Sequence, residues 1–466
     1  MNIFYVVISI IVTVLIWGSS STINFDEWVT YTAIFTFIHA CFSVSTLKRV
    51  CRQWTSLPML FLFSLFLFNW GQVWLLGFFK GYELYYDWNK ISIYPQYIYI
   101  KTCIVVVLFI TFFVLGVVSR VKHIPMVLKD NDSLNYPRMR MLGMMILFIT
   151  LPFNLYENAL YIAASVTFGY KEIFELKIPD FVSVFSWISV LGAVCYMIGS
   201  RSKEGKVLAI FSLLYGAEMI SGNRAQSVVA ILILFSFYNL RHPIKLGVKK
   251  MVLYGAIAIV GLTVLQTIKT FRNAEGKDFN GFIYSLQSTA LQHNVILQNL
   301  EEFGGAIAFP SIMLIYSERT GDYLYGWTYL SGLAGILPNV GGGIGKITNS
   351  GSVVFVVRDH IYGQYQSISC SNVSEAVLNF GLFGIPFFSF VVGILIGLVY
   401  IGTERKQYSF KILYYVMPSY ALLFWVRNSF QSTVRYIVWG AILIWIFSRL
   451  VKVVKSNRGQ RKLILK

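Results

Sequence analysis

The sequence predicts an all-α, polytopic integral membrane protein with about twelve transmembrane helices, and two observations carry this prediction. Of its 466 residues, 56% are hydrophobic and only 13% are charged, whereas a soluble domain carries roughly 25% charged residues. The apolar residues also come in long runs separated by short charged stretches, and a helix needs about 20 such residues to cross a bilayer. A soluble enzyme is therefore not expected.

Twelve segments have the length and hydropathy of a membrane span. They lie near residues 3–18, 28–46, 58–78, 98–118, 140–163, 180–199, 206–221, 224–240, 249–268, 376–401, 409–426 and 432–451. No Lys or Arg precedes the first segment and no clear small-residue cleavage site follows it, so we expect a helix there and not a removed signal peptide. We expect residues 1–466 to form a single transmembrane domain.

Basic residues set the expected orientation. Lys and Arg near the ends of spans are retained in the cytoplasm, and here they occupy alternate connections, such as Lys48, Arg49 and Arg52 after the second span and the basic tail at 452–466. Both termini are therefore predicted to be cytoplasmic. The formal net charge of +18 is then mostly a topology signal with an attraction to anionic membrane lipids, and no nucleic-acid partner is expected.

This orientation places one long connection, residues 271–374 between the ninth and tenth spans, on the outer side. Loops of this length tend to be functional. Apolar residues such as Leu291, Val295 and Ile312 recur in it, in part at helical spacing. We expect amphipathic helices that lie on the outer membrane face and cover a site. The alternative is an outer domain that takes no part in the chemistry.

Ionisable residues gather at the predicted outer ends of the spans, where they are costly unless paired or used. Arg224 starts a span, Arg272 follows the ninth span, and Arg427 and Arg435 bracket the short hairpin before the last span. Arginine presents a planar fork of donors that binds phosphate oxygens bidentately. The cluster therefore suits a lipid-linked diphosphate, whose departure fixed positive charge would assist without a metal. The alternative for each arginine is a side chain that extends singly to lipid headgroups.

No metal or cofactor is expected. The five histidines show no His-x-x-x-His spacing. The acid-x-acid run at residues 130–132 lies in a cytoplasmic connection too short for a nucleotide-binding domain, so we interpret it as a solvated turn. The glycine run at residues 341–346 is followed by Ile347 where a phosphate-binding loop needs Ser or Thr, and it is predicted to be a flexible outer turn.

Several segments between about residues 210 and 445 carry a resemblance to a known family. They are residues 221–224 (Ser-Gly-Asn-Arg), 326–330 (Gly-Trp-Thr-Tyr-Leu), 336–339 (Ile-Leu-Pro-Asn), 374–384 (Ser-Glu-Ala-Val-Leu-Asn-Phe-Gly-Leu-Phe-Gly) and 427–435. In this order and topology they resemble the Wzy family of polysaccharide repeat-unit polymerases, which make O-antigen, capsule or exopolysaccharide. The N-terminal half resembles the family only in being hydrophobic.

The resemblance implies a metal-independent glycosyltransferase of the bacterial inner membrane that works on the outer face. Such an enzyme moves a growing glycan from one undecaprenyl diphosphate to the sugar end of a single lipid-linked repeat unit, and a separate protein controls chain length. The related O-antigen ligases carry a His in the outer loop, but the corresponding region here reads Ser369-Cys370-Ser371, which argues against a ligase. A flippase for lipid-linked oligosaccharides is the other alternative, although the two halves show no repeat of the kind transporters have.

Glu375 begins the span after the long loop, at the level of the arginines, and it is our first candidate to orient or deprotonate the acceptor hydroxyl. Its alternative role is an ion pair with Arg224 or Arg427. His360 is the second candidate for the base, and its alternative is an ordinary surface histidine. The residues expected to bind the diphosphate are Arg224, Arg272 and Arg427, followed by Arg435 and Arg319.

Overall fold

Helices make up all the regular secondary structure that is described in the computed structural model of this chain. Numbered in chain order, they are α1 (Asn2–Ser19), α2 (Phe25–Lys48), α3 (Leu57–Phe78), α4 (Gln96–Val121), α5 (Tyr136–Thr167), α6 (Asp180–Gly199), α7 (Glu204–Glu218), α8 (Arg224–Arg241), α9 (Val295–Gly304), α10 (Ala308–Thr320), α11 (Trp327–Ala334), α12 (Gly343–Ser350), α13 (Asn372–Lys406), α14 (Val416–Trp425) and α15 (Phe430–Ile464). Short 3-10 helices at Arg201–Lys203, Gly305–Ile307 and Phe410–Tyr415 precede α7, α10 and α14. The structure describes residues 2–20, 23–84, 95–121, 135–167, 176, 178–219, 224–243, 260–261, 263–264, 266–267, 281, 283–287, 294–337, 343–353, 356 and 370–464.

Seven of the described helices are long and apolar enough to cross a membrane, namely α2, α3, α4, α5, α6, α13 and α15. They confirm the prediction of an all-α, polytopic membrane protein. Helix α1 is apolar but shorter, and the span predicted near residues 249–268 lies mostly outside the described residues. The count of twelve spans therefore stays a prediction. Helix α15 continues through most of the predicted basic tail.

Contacts group the chain into two compact units. Unit 1 consists of Met1–Pro125, Ile296–Ile401 and Leu422–Arg435, and unit 2 consists of Met126–Val295, Gly402–Ala421 and Tyr436–Lys466. The last three helices, α13, α14 and α15, each contribute residues to both units.

In unit 1, part of the long connection packs directly against a predicted membrane span. A β-carbon placed on Gly71 of α3 would lie 2.7 Å from the carbonyl oxygen of Leu300, and one placed on Gly304 would overlap the backbone of α3. Only glycine at these two positions allows the backbones of α3 and α9 to approach so closely. The end of α9 is thereby held against the middle of a span.

Helix α10, also from the long connection, belongs to the core of unit 1. Residues 308–314 are all buried, and Ser311 Oγ lies 2.9 Å from Thr102 Oγ1 of α4 in a buried hydrogen bond. The helices predicted for the connection are thus present, but α10 packs on neighbouring helices and is not an amphipathic surface helix. From Gly343 onward the glycine run is also helical, as α12, where a flexible turn was predicted.

Unit 2 contains a buried ion pair that joins three of its helices. Arg241 Nη1 at the end of α8 lies 2.9 Å from Glu204 Oε1 at the start of α7, and both side chains are buried. His242 Nε2 lies 2.7 Å from the other oxygen of Glu204, and Arg241 also donates to the hydroxyl of Tyr136 on α5 at 3.0 Å. Because a buried charge is costly unless it is paired and hydrogen-bonded, these contacts stabilise the guanidinium in its buried position.

Candidate functional site

Glu375 lies in the first turn of α13 and is 1% exposed. Its Oε2 accepts a hydrogen bond from the indole Nε1 of Trp425 at 3.0 Å and another from the backbone N of Phe430 at 2.9 Å. Its Oε1 is buried and has no hydrogen-bond partner among the described residues. The described donors are neutral, so the ion pair with Arg427 considered from the sequence is not formed. One carboxylate oxygen is fixed, and the other is left for a further donor.

A reciprocal pair of serine contacts positions the start of α13. Ser371 Oγ accepts from the backbone N of Ser374 at 3.1 Å, and Ser374 Oγ accepts from the backbone N of Ser371 at 2.8 Å. This is a capping box with serine at both ends, which satisfies two backbone donors at the helix start. Burial, and then the charge of Glu375, raises the pKa of the neighbouring Cys370 thiol well above its usual range.

Helix α13 is interrupted at Gly381, and the loop between α10 and α11, residues 321–326, contacts it there. Gly381 has φ 59° and ψ −166°, a backbone conformation that glycine adopts readily and other residues rarely. A β-carbon there would also lie 2.6 Å from the ring of Tyr323. Leu324 N donates to the carbonyl of Leu378 at 3.1 Å and Tyr325 N to that of Asn379 at 3.0 Å. The backbone amides of this loop therefore form hydrogen bonds with carbonyl groups beside the break in α13.

Asn379 connects this loop to the turn that carries Glu375. Its Oδ1 accepts from the backbone N of Gly326 at 2.9 Å. Its Nδ2 donates to Thr328 Oγ1 at 2.7 Å and to the carbonyl of Glu375 at 2.7 Å. Asn379 is completely buried, and loss of its amide would leave several buried polar groups without partners. The start of α11 and the first turns of α13 are thus joined by one side chain.

Five aromatic rings form a cluster that includes Trp425, the indole donor to Glu375. Tyr329 is central, with ring centroids 5.1 Å from Phe388, 5.4 Å from Phe430 and 6.3 Å from Trp425, and Phe380 completes the set at 5.9 Å from Tyr329. The Tyr329 hydroxyl is buried with no hydrogen-bond partner among the described residues. Burial, and then the charge of Glu375, raises the pKa of Tyr329 well above its usual range. Packed aromatic rings of this kind fix the orientation of the Trp425 indole toward Glu375.

Two of the predicted diphosphate-binding arginines lie in the segment that supplies the donors to Glu375. Arg427 stands between Trp425 and Phe430, and its guanidinium lies 5.3 Å from the ring centroid of Phe68. Arg435 lies beside the end of α11, because its Nη2 would be 3.4 Å from a β-carbon placed on Gly335. Both arginine side chains are half-buried. The hairpin that donates to Glu375 through the Phe430 amide therefore also contains Arg427 and leads into Arg435.

These contacts join three of the segments on which the family resemblance was based, namely residues 326–330, 374–384 and 427–435. The family model of the O-antigen polysaccharide polymerase Wzy matches residues 1–455, nearly the whole chain. The chain belongs to the Wzy family. No match to it is found among curated proteins or among solved structures.

Membership of the Wzy family assigns the protein to O-antigen repeat-unit polymerisation, a step of lipopolysaccharide biosynthesis. With the seven described spans, it indicates a multi-pass enzyme of the inner membrane. The match begins at the first residue, so the N-terminal half, which the sequence related to the family only through its hydrophobicity, is part of it as well.

Of the four other predicted site residues of this Wzy-family protein, the structure describes two. Arg224 starts α8 in unit 2 and is half-buried, and Arg319 is exposed in the last turn of α10 in unit 1. Arg272 and His360 lie outside the described residues. In the part of the chain that is described, no three His, Cys, Asp or Glu side chains are grouped so that they could hold a metal ion.

Unit 2 of the Wzy-family protein contains buried carboxyl groups of its own. Glu157 on α5 is 2% exposed and accepts from Ser183 Oγ of α6 at 2.5 Å. Asn154, one turn earlier, donates to Ser186 at 3.3 Å. Glu218, at the end of α7, is also buried. The Glu157 carboxylate therefore hydrogen-bonds to a neighbouring helix of unit 2.

The sequence did not point to Asn379 or Trp425 as site residues. Asn379 lies within a quoted segment, four residues after Glu375, which puts both on one helix face. Trp425 ends α14 directly before the hairpin that contains Arg427. A polar residue one turn after a candidate base, and a tryptophan beside a candidate arginine, are signals that could have identified both.

Proposed function

We propose that this protein polymerises undecaprenyl-diphosphate-linked oligosaccharide repeat units on the outer face of the bacterial inner membrane. The observation that carries the proposal is the Glu375 carboxylate, which is held on Oε2 by Trp425 and Phe430 and has no donor to Oε1 among the described residues. The hairpin that supplies these donors also contains Arg427 and leads into Arg435. The proposal combines the proton acceptor with the positive charge that this same hairpin carries.

The proposed reaction is transfer of a growing glycan to a new lipid-linked unit. A hydroxyl at the sugar end of the new unit attacks the anomeric carbon of the growing glycan. A glycosidic bond forms, the bond from that carbon to the diphosphate oxygen breaks, and undecaprenyl diphosphate leaves with the bonding electron pair. The hydroxyl proton passes to Glu375 Oε1. General base catalysis of this kind contributes about 100- to 10,000-fold in rate.

Arg427 and Arg435 are proposed to bind the diphosphate and to stabilise the negative charge that develops as it leaves. A guanidinium pairs with phosphate oxygens through two parallel hydrogen bonds and keeps its charge in a partly dry site. Positive charge fixed in this way acts without a metal ion. We retain Arg224, Arg272 and Arg319 as further candidates for the diphosphate and His360 as a second candidate for the base.

The burial of Glu375 sets a condition on the reaction. At 1% exposure, its carboxylate meets an acceptor hydroxyl only when the acceptor displaces some of the side chains that cover Oε1. The hydrogen bonds of Asn379 and Trp425 hold the turn and Oε2 in place, so we assign these two as positioning residues. The cost of leaving Oε1 without a donor favours binding of a hydroxyl there.

We also propose the orientation of the protein in the membrane and its binding partners. We expect both termini in the cytoplasm and the long connection on the outer side, because of the distribution of Lys and Arg. The donor and the acceptor are both glycans on undecaprenyl diphosphate, and a separate protein is expected to regulate the chain length.

Deletion of the gene in its host tests the proposed function. The surface glycan is separated by size, with the intact gene returned on a plasmid as the control. Single repeat units that persist on their surface carrier while long polymer is lost would support polymerisation. Loss of even the single units would indicate a flippase, polymer that forms but is not attached to its carrier would indicate a ligase, and an unchanged ladder would refute the glycan function.

A further inference from the structure

An apolar groove of about 740 Å³ runs between α2 and α3 in unit 1. Phe37, Cys41 and Val44 line it on α2, and Phe63 and Trp74 line it on α3. The spacing of the three α2 residues places them on one face of the helix. Neither Trp425 nor Phe430, the hydrogen-bond donors to Glu375, lines this groove, and the reaction proposed at Glu375 does not use it.

One end of the groove is basic. Lys48 and Arg49, at the end of α2, and Trp54 line this end. Lys48 Nζ donates to the carbonyl of Arg52 at 2.9 Å and lies 5.1 Å from the ring centroid of Trp54. These partners hold the ammonium group at the end of the groove without neutralising its charge. Among the described residues, no carboxylate lies within salt-bridge distance of Lys48.

The length of the groove matches one leaflet of a membrane. Helical rise gives about 16 Å between Phe37 and Lys48, and half of a hydrocarbon core of about 30 Å is about 15 Å. A tryptophan and basic residues at the end of an apolar stretch are typical of the level of the lipid headgroups. An apolar channel of one leaflet's length with a cation at its end is complementary to an anionic lipid.

We propose that this groove binds an anionic phospholipid, with one acyl chain along α2 and α3 and the headgroup phosphate at Lys48 and Arg49. The lipid belongs to the cytoplasmic leaflet, because the sequence predicts this end of α2 on the cytoplasmic side. A Lys or Arg near an anionic lipid surface strengthens binding by about fivefold. A neutral phospholipid, a polyprenyl phosphate and a second protein helix are the competing occupants.

Cys41 provides a local probe, because it is exposed in the groove while Cys51, Cys103, Cys195 and Cys370 are buried. The full-length protein is labelled in detergent with bimane and reconstituted into phosphatidylcholine nanodiscs. Quenching of the bimane is then compared for brominated phosphatidylglycerol and brominated phosphatidylcholine at equal mole fraction. We expect the anionic lipid to quench with an apparent affinity about 25-fold higher, about fivefold for each of Lys48 and Arg49.

Matched variants distinguish the groove from general attraction to a basic surface. Lys48→Gln with Arg49→Gln removes two charges at the groove, and we expect it to abolish the preference for phosphatidylglycerol. Arg405→Gln with Lys406→Gln removes two charges at the predicted cytoplasmic end of α13, outside the groove lining, and we expect the preference to persist. If the first pair does not fold, Arg49→Gln alone, at an exposed side chain, is expected to weaken the preference by about fivefold.

Three results would overturn the proposal. Equal quenching by the two brominated lipids would indicate an unselective lipid-facing groove. A preference that survives Lys48→Gln with Arg49→Gln would place the anionic site elsewhere. Relief of quenching by unbrominated undecaprenyl phosphate at lower concentration than by unbrominated phosphatidylglycerol would make the polyprenyl carrier the ligand.

Discussion

Replacement of Glu375 by Gln separates the two roles that the structure allows for this side chain. The carboxylate accepts hydrogen bonds from Trp425 and Phe430 on Oε2, and Oε1 is the proposed proton acceptor. An amide retains an oxygen that accepts both hydrogen bonds, but it has no basic oxygen in the other position. Replacement by Ala removes both functions at once.

The expected magnitudes differ between the two variants. A buried donor left without an acceptor costs about 1–3 kcal/mol. Glu375→Ala leaves the Trp425 indole and the Phe430 amide without an acceptor, so it should destabilise the protein by about 2–6 kcal/mol, toward the lower end because Phe430 is half-buried. Glu375→Gln should destabilise the protein by about 1 kcal/mol, less than Glu375→Ala, because it keeps the accepting oxygen and exchanges one unpaired buried group, Oε1, for another, the amide NH2. Its polymerisation rate should fall by about 100- to 10,000-fold, the range for loss of a general base.

The assay measures chain growth by the purified enzyme on a synthetic lipid-linked repeat unit, with thermal unfolding in detergent followed in parallel. Glu318→Gln is the matched control: Glu318 is partly exposed and lies 2.6 Å from Lys101 in the same unit. Loss of such a surface pair costs about 0–1 kcal/mol, and polymerisation should be unchanged. A folded Glu375→Gln enzyme that extends glycans at the wild-type rate would refute the assignment of Glu375 as the base and leave it only a positioning role.

Three further predictions concern residues around this site and in unit 2. Arg427→Ala and Arg224→Ala should each lower polymerisation by about 100-fold or more while the protein still inserts into the membrane. The surface glycan ladder and the level of the protein in the membrane measure these two effects. Full-length polymer from a folded variant would show that this arginine is not part of the site. Asn379→Ala breaks hydrogen bonds to Gly326, Thr328 and the Glu375 carbonyl and should lower the free energy of unfolding by about 2–4 kcal/mol, and an unchanged unfolding midpoint would contradict its role. Burial raises the pKa of the Cys370 thiol, so the thiol stays protonated at neutral pH. Maleimide should therefore label the exposed Cys41 and spare the buried Cys370 in the folded protein, as measured by mass spectrometry of the labelled peptides. Modification of Cys370 before Cys41 would contradict the burial of the site.

The sequence by itself determined the class of the protein. Apolar runs long enough to cross a bilayer, with few charges between them, predict membrane helices because each helix satisfies its own backbone hydrogen bonds, whatever surrounds it. The order of the motifs was enough to suggest the Wzy family, and the position of Glu375 at the start of a span was enough to single it out. These are local properties of the chain, so no knowledge of packing was required.

Only the tertiary structure decided how the motifs meet. The donors to Glu375 come from Trp425 and Phe430, about fifty residues later in the chain, and such partners are brought together by helix packing, which a single sequence does not reveal. Helix α10 shows the same limit, because an apolar residue that contacts lipid and one that contacts another helix look alike in a sequence. The connection was therefore expected on a membrane surface, whereas residues 308–314 are buried against their own unit.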